Sequence, residues 1–199
     1  MCELLGWRAP VAPVVLALQL IQYAKMHGQE VAVNPLEQPI ADNPVPDDVR
    51  ETVMRIYGML ESHIETPEFA SVKSQLRGHR CVLIGDAFVR CDRVALTCTV
   101  DAGPLLYALP EELASLQQLF VELGVRDKFS GGDFVGALKR LADANRGSTL
   151  ETQQIAWASV LAREAAQYQM SAAEKEGMFL PDAAGEMTPA RCLVYVSLS

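Results

Sequence analysis

Residues 105–141 have the sequence LLYALPEELASLQQLFVELGVRDKFSGGDFVGALKRL, and this stretch decides the predicted fold. It predicts two amphipathic helices joined by a short corner, because apolar residues recur in it every three or four positions. One face of the first helix carries Leu113, Leu116, Phe120 and Leu123. The stretch is therefore expected to be a packing unit rather than a reaction centre.

The ends of these two helices are also marked in the sequence. Pro110 is expected at the first helical position, where its missing N–H is tolerated. Gly124 is expected to take the left-handed conformation that ends the first helix. Ser130 and Asp133 have the spacing of a capping box, which predicts that the second helix begins after Ser130.

Length and charge limit the class of protein. A chain of 199 residues with 50% hydrophobic residues can bury one domain-sized core. We therefore expect a single segment over residues 1–199, in which a subdivision would fall near the proline-rich residues 34–46. The net charge of -8 argues against nucleic-acid binding, which needs a basic surface.

Cysteine and histidine patterns predict neither a metal site nor a disulfide framework. The five cysteines include no Cys-x-x-Cys pair, and the three histidines are far apart in sequence. We therefore expect no metal and no other cofactor, and buried thiols in a reducing compartment. The apolar run at residues 11–21 is too short to cross a bilayer and lacks a basic leader, so the prediction is a cytoplasmic protein without membrane contact.

Besides a short helix after Pro67 with Phe69, Val72 and Leu76 on its apolar face, three further helices are predicted on either side of the central stretch. The first runs from about Pro13 to Met26, with Val14, Leu18 and Ile21 on one face. A second begins at Pro46 or Asp47 and has a long apolar stripe. A third follows Ser148, which could form a capping box with Glu151.

Short β segments complete the predicted fold. Cys81–Ile84, a turn at Gly85–Asp86 and Phe88–Val89 predict one hairpin-like element. Phe179–Leu180, a turn at Gly185 and an apolar run at the C-terminal end predict another. The fold class is therefore α+β, mostly helical with two small β-hairpin-like elements. We also expect self-association through Cys192–Val196, an uncharged β-prone segment with an uncovered edge.

Catalytic motifs are not found in the sequence. Gly131-Gly132 is not followed by a phosphate-loop lysine pattern, and there is no Gly-x-Ser-x-Gly elbow. Arg126 has two interpretations, a contact for a partner or a local ion pair at the helix corner. Trp7 and Trp157 suit either an interface or the core, and core packing is the favoured role. The prediction is that the chain is not an enzyme.

Five short segments occur in an order that resembles the large repeats of sacsin-like co-chaperones: Leu4–Trp7, Ile84–Val89, Leu106–Pro110, Leu123–Asp127 and Phe179–Asp182. The resemblance covers nearly the whole chain, and the order of the segments carries it. The structural-motif residues singled out in these segments and at the helix ends are Gly6, Trp7, Gly85, Asp86, Phe88, Pro110, Gly124, Arg126, Ser130, Pro181 and Gly185.

The resemblance implies a place within such a repeat. In that family each large repeat begins with an Hsp90-like ATP-binding module, and this chain is similar to the part that follows the module. The ATP-site residues of the family therefore have no positions here. The expected function is a non-catalytic segment of a sacsin-like chaperone or co-chaperone, a scaffold or client-contacting surface in protein folding. The alternative is a helical protein–protein interaction adaptor unrelated to folding.

We predict that the isolated chain neither binds nor hydrolyses ATP. The reason is that the sequence lacks both a phosphate loop and the Asp-x-Gly-x-Gly turn of Hsp90-type sites. Titration calorimetry with millimolar ATP and magnesium should show no binding heat. Micromolar binding by the purified chain would contradict the prediction.

Overall fold

The structure, a computed structural model, describes residues 11–27 and 45–193. These residues form seven α-helices and three small β-sheets, which confirms the predicted α+β, mostly helical class. They divide into two compact units that alternate along the chain. The first unit contains described residues 11–27, 45–91 and 110–125, and the second contains residues 92–109 and 126–193. The subdivision considered near residues 34–46 lies outside the described residues, apart from Val45 and Pro46.

Four helices belong to the first unit: α1 Pro13–His27, α2 Asp47–Glu61, α3 Phe69–Leu76 and α4 Gln117–Leu123. Both α1 and α4 pack against α2 and α3. The stripe predicted for α2 is confirmed, because its buried residues include Val49, Val53, Ile56 and Leu60. Asp47 and Asp48 lie in its first turn, where the helix dipole favours negative charge.

The buried face of α1 differs from the predicted one. Leu16, Leu20 and Ile21 are buried, whereas Leu18 is 50% exposed and Val14 is half-buried. The prediction was right for Ile21 and wrong for Leu18, because α1 is apolar around most of its circumference and apolar spacing alone did not select one side. The consequence is that apolar side chains of α1 also face solvent.

The first predicted hairpin is confirmed. Strands β1 Arg80–Ile84 and β2 Ala87–Arg90 pair antiparallel around the turn at Gly85–Asp86. Arg80 pairs with Arg90, but the next pair is Val82 with Val89, so Cys81 is an extra residue in β1. This bulge gives Cys81 a position outside the regular ladder.

The helix after Pro110 begins differently from the prediction. Pro110 precedes the helix with an extended ψ of 149°, and residues Glu111–Leu116 form a 3₁₀ helix before α4. The expectation that Pro110 is the first helical residue was therefore wrong. Gly124 ends α4 with φ 105°, which confirms the left-handed conformation predicted there.

The central stretch is divided between the two units. After Gly124 the chain forms β5 Arg126–Lys128, which pairs parallel with β3 Val94–Thr97, and β3 also pairs parallel with β4 Tyr107–Ala108. The stretch therefore supplies one helix to each unit and is not a self-contained helix pair. The sequence did not predict β5, because it consists of three exposed charged residues without the alternation typical of a strand.

Three helices belong to the second unit: α5 Gly131–Ala144, α6 Thr152–Ala166 and α7 Ala172–Glu176. The core of this unit lies between α5 and α6, which pack along their lengths. Its fully or almost fully buried side chains include Leu138, Leu141, Trp157 and Leu161. The core position favoured for Trp157 is therefore confirmed.

The beginning of α6 differs from the predicted capping box. Glu151 is the residue before the helix, and its backbone N–H donates to the Gln154 side chain at 2.9 Å. Ser148 lies instead in a turn, where its N–H donates to the Asn145 carbonyl oxygen at 3.0 Å. The expectation for Ser148 was wrong because buried Leu150 stands between that turn and the helix.

The C-terminal β element pairs two strands, β6 Phe179–Pro181 and β7 Met187–Pro189, antiparallel around the turn that contains Gly185. The apolar run that was expected to supply the second strand comes later in the chain. Cys192 belongs to a 3₁₀ turn at Ala190–Cys192 rather than to a strand. Residues 194–196, on which the expected self-association also rests, lie outside the described residues.

Two glycine substitutions should have opposite effects on stability. Gly124→Ala should lower the free energy of unfolding by about 1–2 kcal/mol, because an L-residue is strained at φ 105°. Gly58→Ala is the matched control: Gly58 is an exposed residue within α2 with open space beside it, so alanine should add up to about 1 kcal/mol. Denaturant melts of both variants would measure the difference, and equal effects would contradict the left-handed corner.

Candidate functional site

The predicted motif residues of the first hairpin fix it to α2. Arg50 on α2 donates to the Gly85 carbonyl oxygen at 3.1 Å and to the Asp86 carboxylate at 2.9 Å. Gly85 has φ 56°, a left-handed turn conformation. Phe88 on β2 is buried. Gly85 and Asp86 therefore hold the turn of the hairpin to α2, and Phe88 contributes to the core of the first unit.

The motif residues of the central corner form a local network around one carboxylate. Asp133 accepts from the Ser130 backbone N–H at 2.8 Å and from the Ser130 hydroxyl at 2.7 Å, which confirms the predicted capping box. Arg126 pairs with the same carboxylate at 2.9 Å. Of the two interpretations left open for Arg126, the local ion pair is the one observed.

The turn between β6 and β7 is organised by Asp182. Its carboxylate accepts from the backbone N–H groups of Ala184 and Glu186 at 2.9 and 3.0 Å, and from the Thr188 hydroxyl at 3.2 Å. The N–H of Glu186 makes the largest contribution to holding the pKa of Asp182 below its ordinary value. Gly185 allows the turn with φ 80°, and Pro181 precedes it at the end of β6.

Three motif residues remain to be placed, namely Gly6, Trp7 and Pro110. Gly6 and Trp7 lie outside the described residues, and Pro110 precedes the 3₁₀ helix as described above. The motif residues that the structure describes are thus distributed over both units, and each completes a turn, a helix end or a hairpin. They are not brought together into a single site.

Tyr57 on α2 is the polar residue of the first unit that the sequence analysis missed. Its side chain has no solvent exposure. The hydroxyl donates to the Cys81 carbonyl oxygen at 2.7 Å and accepts from the Leu83 N–H at 2.9 Å. The ring meets Phe120 edge to face, with centroids 5.1 Å apart. Burial raises the pKa of Tyr57 well above its ordinary value, so the hydroxyl remains protonated and keeps donating.

The role of Tyr57 follows from the small size of the first sheet. Since β1 and β2 form a two-stranded sheet, β1 has an edge without a strand neighbour. Buried backbone groups on such an edge need other partners. The Tyr57 hydroxyl supplies both a donor and an acceptor there. A single tyrosine between Ile56 and Gly58 has no feature that predicts this contact from sequence.

Searches for a metal centre and for a membrane span give no candidate within the described parts of the chain. In residues 11–27 and 45–193, no three histidine, cysteine or acidic side chains cluster closely enough to hold a metal ion. No helix in the same ranges is both long and apolar enough to cross a bilayer.

The exposed side of α1 is the strongest candidate for a binding surface. Val15, Leu18 and Met26 are 45%, 50% and 61% exposed. Successive members of this set are separated by three and eight positions, so they lie along one side of the helix axis, together with exposed Gln22. We call this set the outer face of α1. Single exposed apolar residues are ordinary, whereas a row of them on one helix is a feature of interaction sites.

Comparison of the chain with protein families, characterised proteins and solved structures gives no match. The sacsin-like identity therefore stays a prediction from the sequence.

Removing one hydroxyl should test the Tyr57 bridge. Tyr57→Phe would leave the Cys81 carbonyl oxygen and the Leu83 N–H without this partner, at a cost of about 1–3 kcal/mol for each buried group. Tyr168→Phe is the matched control, because its hydroxyl donates to the Phe129 carbonyl oxygen but Tyr168 is 38% exposed and water can replace it. Chemical denaturation should show a larger loss for Tyr57→Phe. Equal losses in the free energy of unfolding would mean that the buried hydrogen bonds of Tyr57 contribute no more than the accessible one of Tyr168.

Proposed function

We propose that this chain is a non-catalytic protein-binding segment that contacts its partners through the outer face of α1. In the sacsin-like interpretation, the segment belongs to a cytoplasmic chaperone or co-chaperone and the partners are incompletely folded clients. The observation that carries the proposal is the row of exposed apolar side chains on α1.

The outer face suits a protein contact energetically. Complete burial of a valine, leucine or methionine side chain contributes about 1.5–3 kcal/mol. The members of the outer face are about half exposed in the free chain, so a partner could cover a substantial apolar area. A helix needs one apolar side to fold onto its unit, and α1 already has that side in Leu16, Leu20 and Ile21.

The chemistry of α1 favours an apolar segment as the bound group. The helix PVVLALQLIQYAKMH contains no acidic residue, and its basic residues, Lys25 and His27, lie in the last turn. The outer face therefore offers few charges for a specific ionic contact. Met26 has a flexible, polarizable side chain that adapts to differently shaped partners. These properties suit a surface that accepts varied apolar sequences, as a client-contacting surface must.

The proposal predicts that charge on the outer face weakens binding to an unfolded chain. The double variant Val15→Lys/Leu18→Lys should bind a fluorescently labelled, reduced and carboxymethylated protein about tenfold more weakly than the wild type, equivalent to a loss of about 1.4 kcal/mol. Both positions are exposed, so the variant should keep the fold. Fluorescence anisotropy would measure the affinity, and circular dichroism would confirm the fold.

A matched control separates this surface from general stickiness. Val121→Lys/Ile155→Lys changes two residues of similar exposure, 41% and 36%, on other helices. This control should bind like the wild type. Equal weakening in both double variants would contradict a role for the outer face. Binding to the native form of the labelled protein, with the same affinity as to its unfolded form, would replace the client interpretation with the adaptor interpretation.

A further inference from the structure

Two cysteines of the first unit lie in contact. The sulfur atoms of Cys81 and Cys91 are 3.4 Å apart, although the residues are ten positions apart in sequence. Cys81 is the bulge residue of β1, and Cys91 directly follows β2. Both side chains are thiols in this structure. Thiols at this distance need only a small movement to join as a disulfide once an oxidant has activated one of them.

The hairpin and Tyr57 hold the pair together. Arg80 lies opposite Arg90 in the antiparallel ladder, so Cys81 and Cys91 follow this pair in opposite directions, and the bulge at Cys81 allows its side chain to lie diagonally beside Cys91. The hydroxyl of Tyr57 then holds the Cys81 carbonyl oxygen at 2.7 Å, so the backbone of the bulge cannot easily move away. Bulges redirect side chains out of the regular alternation of a strand. The proximity of the two sulfur atoms is thus built into the fold.

The two thiols differ in access to solvent. Cys81 has no exposed surface, whereas Cys91 is half-buried. A dissolved oxidant can therefore reach Cys91 first, while the Cys81 sulfur lies within contact distance of the Cys91 sulfur. We infer that Cys81 and Cys91 are an oxidative modification site, at which hydrogen peroxide or a similar two-electron oxidant produces a reversible intramolecular disulfide.

The reaction balances in two steps. The Cys91 thiolate attacks one oxygen of hydrogen peroxide, the O–O bond breaks, and Cys91 sulfenic acid and hydroxide form. The Cys81 thiolate then attacks the Cys91 sulfur and displaces the second hydroxide. With the two thiol protons, the products are one disulfide and two water molecules. The peroxide is reduced by the two electrons that the sulfur atoms lose.

The geometry requires little rearrangement. A disulfide has a sulfur–sulfur distance of about 2.05 Å, so the present distance of 3.4 Å must shorten by about 1.4 Å. Rotation of the half-buried Cys91 side chain can provide this movement while Tyr57 and the ladder keep the backbone of β1 in place. The product would cross-link the bulge of β1 to the end of β2 and fix the register of the hairpin.

The other described cysteines lack these features. The Cys98 thiol donates to the Val100 carbonyl oxygen at 3.3 Å. Cys192 is exposed in a 3₁₀ turn. Both can be oxidised, but the structure places no second sulfur beside them within the described residues. They therefore serve as internal comparisons for the pair.

The experiment uses the full chain and its tryptic sites. Reduced protein is treated with one equivalent of hydrogen peroxide, remaining thiols are blocked with N-ethylmaleimide, and the product is digested with trypsin. Cleavage after Arg80, Arg90 and Arg93 releases CVLIGDAFVR and CDR as separate peptides. The expected product is one species that contains both peptides joined with the loss of two hydrogens. Dithiothreitol before the blocking step should abolish this species.

Controls distinguish the pair from general thiol oxidation. Cys98→Ser and Cys192→Ser should leave the yield of the linked peptides unchanged, and Cys91→Ser should abolish it. In the wild type this linkage should exceed every other disulfide by more than about tenfold, because neighbouring groups react at a high effective concentration. The inference is overturned if Cys81 and Cys91 both carry N-ethylmaleimide under conditions that oxidise Cys192, or if other pairings dominate. The tryptic digest of the oxidised wild-type protein tests the Cys81–Cys91 disulfide even if a variant fails to fold.

Discussion

The hydroxyl of Tyr57 makes hydrogen bonds to buried backbone groups of β1 that strand pairing in the first unit does not supply. A two-stranded sheet packed on helices leaves one strand edge to be buried, and the N–H and C=O groups on that edge need partners. Tyr57 donates to Cys81 and accepts from Leu83, and the same side chain packs on Phe120 of α4. One residue thereby joins α2, α4 and β1. Since the Tyr57 side chain has no solvent exposure, bulk water does not reach these backbone groups to replace it.

The second unit uses carboxylates, rather than a phenol, as partners for backbone N–H groups at a helix start and in a turn. Asp133 completes the first turn of α5 by accepting from Ser130, and Asp182 accepts from the N–H groups of the turn between β6 and β7. These carboxylates are near the surface, so each serves a local backbone segment rather than a join between elements. Their loss would disturb one turn, whereas the loss of the Tyr57 hydroxyl would affect the contact between a helix and a sheet.

Local features of the fold could be predicted from the sequence, and features that depend on distant partners could not. The stripe of α2, the left-handed Gly124 and the capping box at Ser130 follow from residues a few positions apart. The buried side of α1 depends on what packs against it, and β5 exists because β3 lies beside it. The Tyr57 bridge and the Cys81–Cys91 contact also join residues that sequence spacing does not relate. The motif residues within the described ranges lie in turns, at helix ends or in the first hairpin, because most of them were chosen for such local features.

The proposed binding surface and the thiol pair both belong to the first unit. The inner side of α1 packs against β1 and β2, the strands that carry Cys81 and precede Cys91, while its outer face points to solvent. A cross-link in the hairpin would therefore stiffen the support directly beneath the binding helix. Because α1 rests on α2 and α3 as well, its apolar row is presented on a rigid base rather than on a free segment. A partner that binds there loses less conformational entropy than one that must first order the helix.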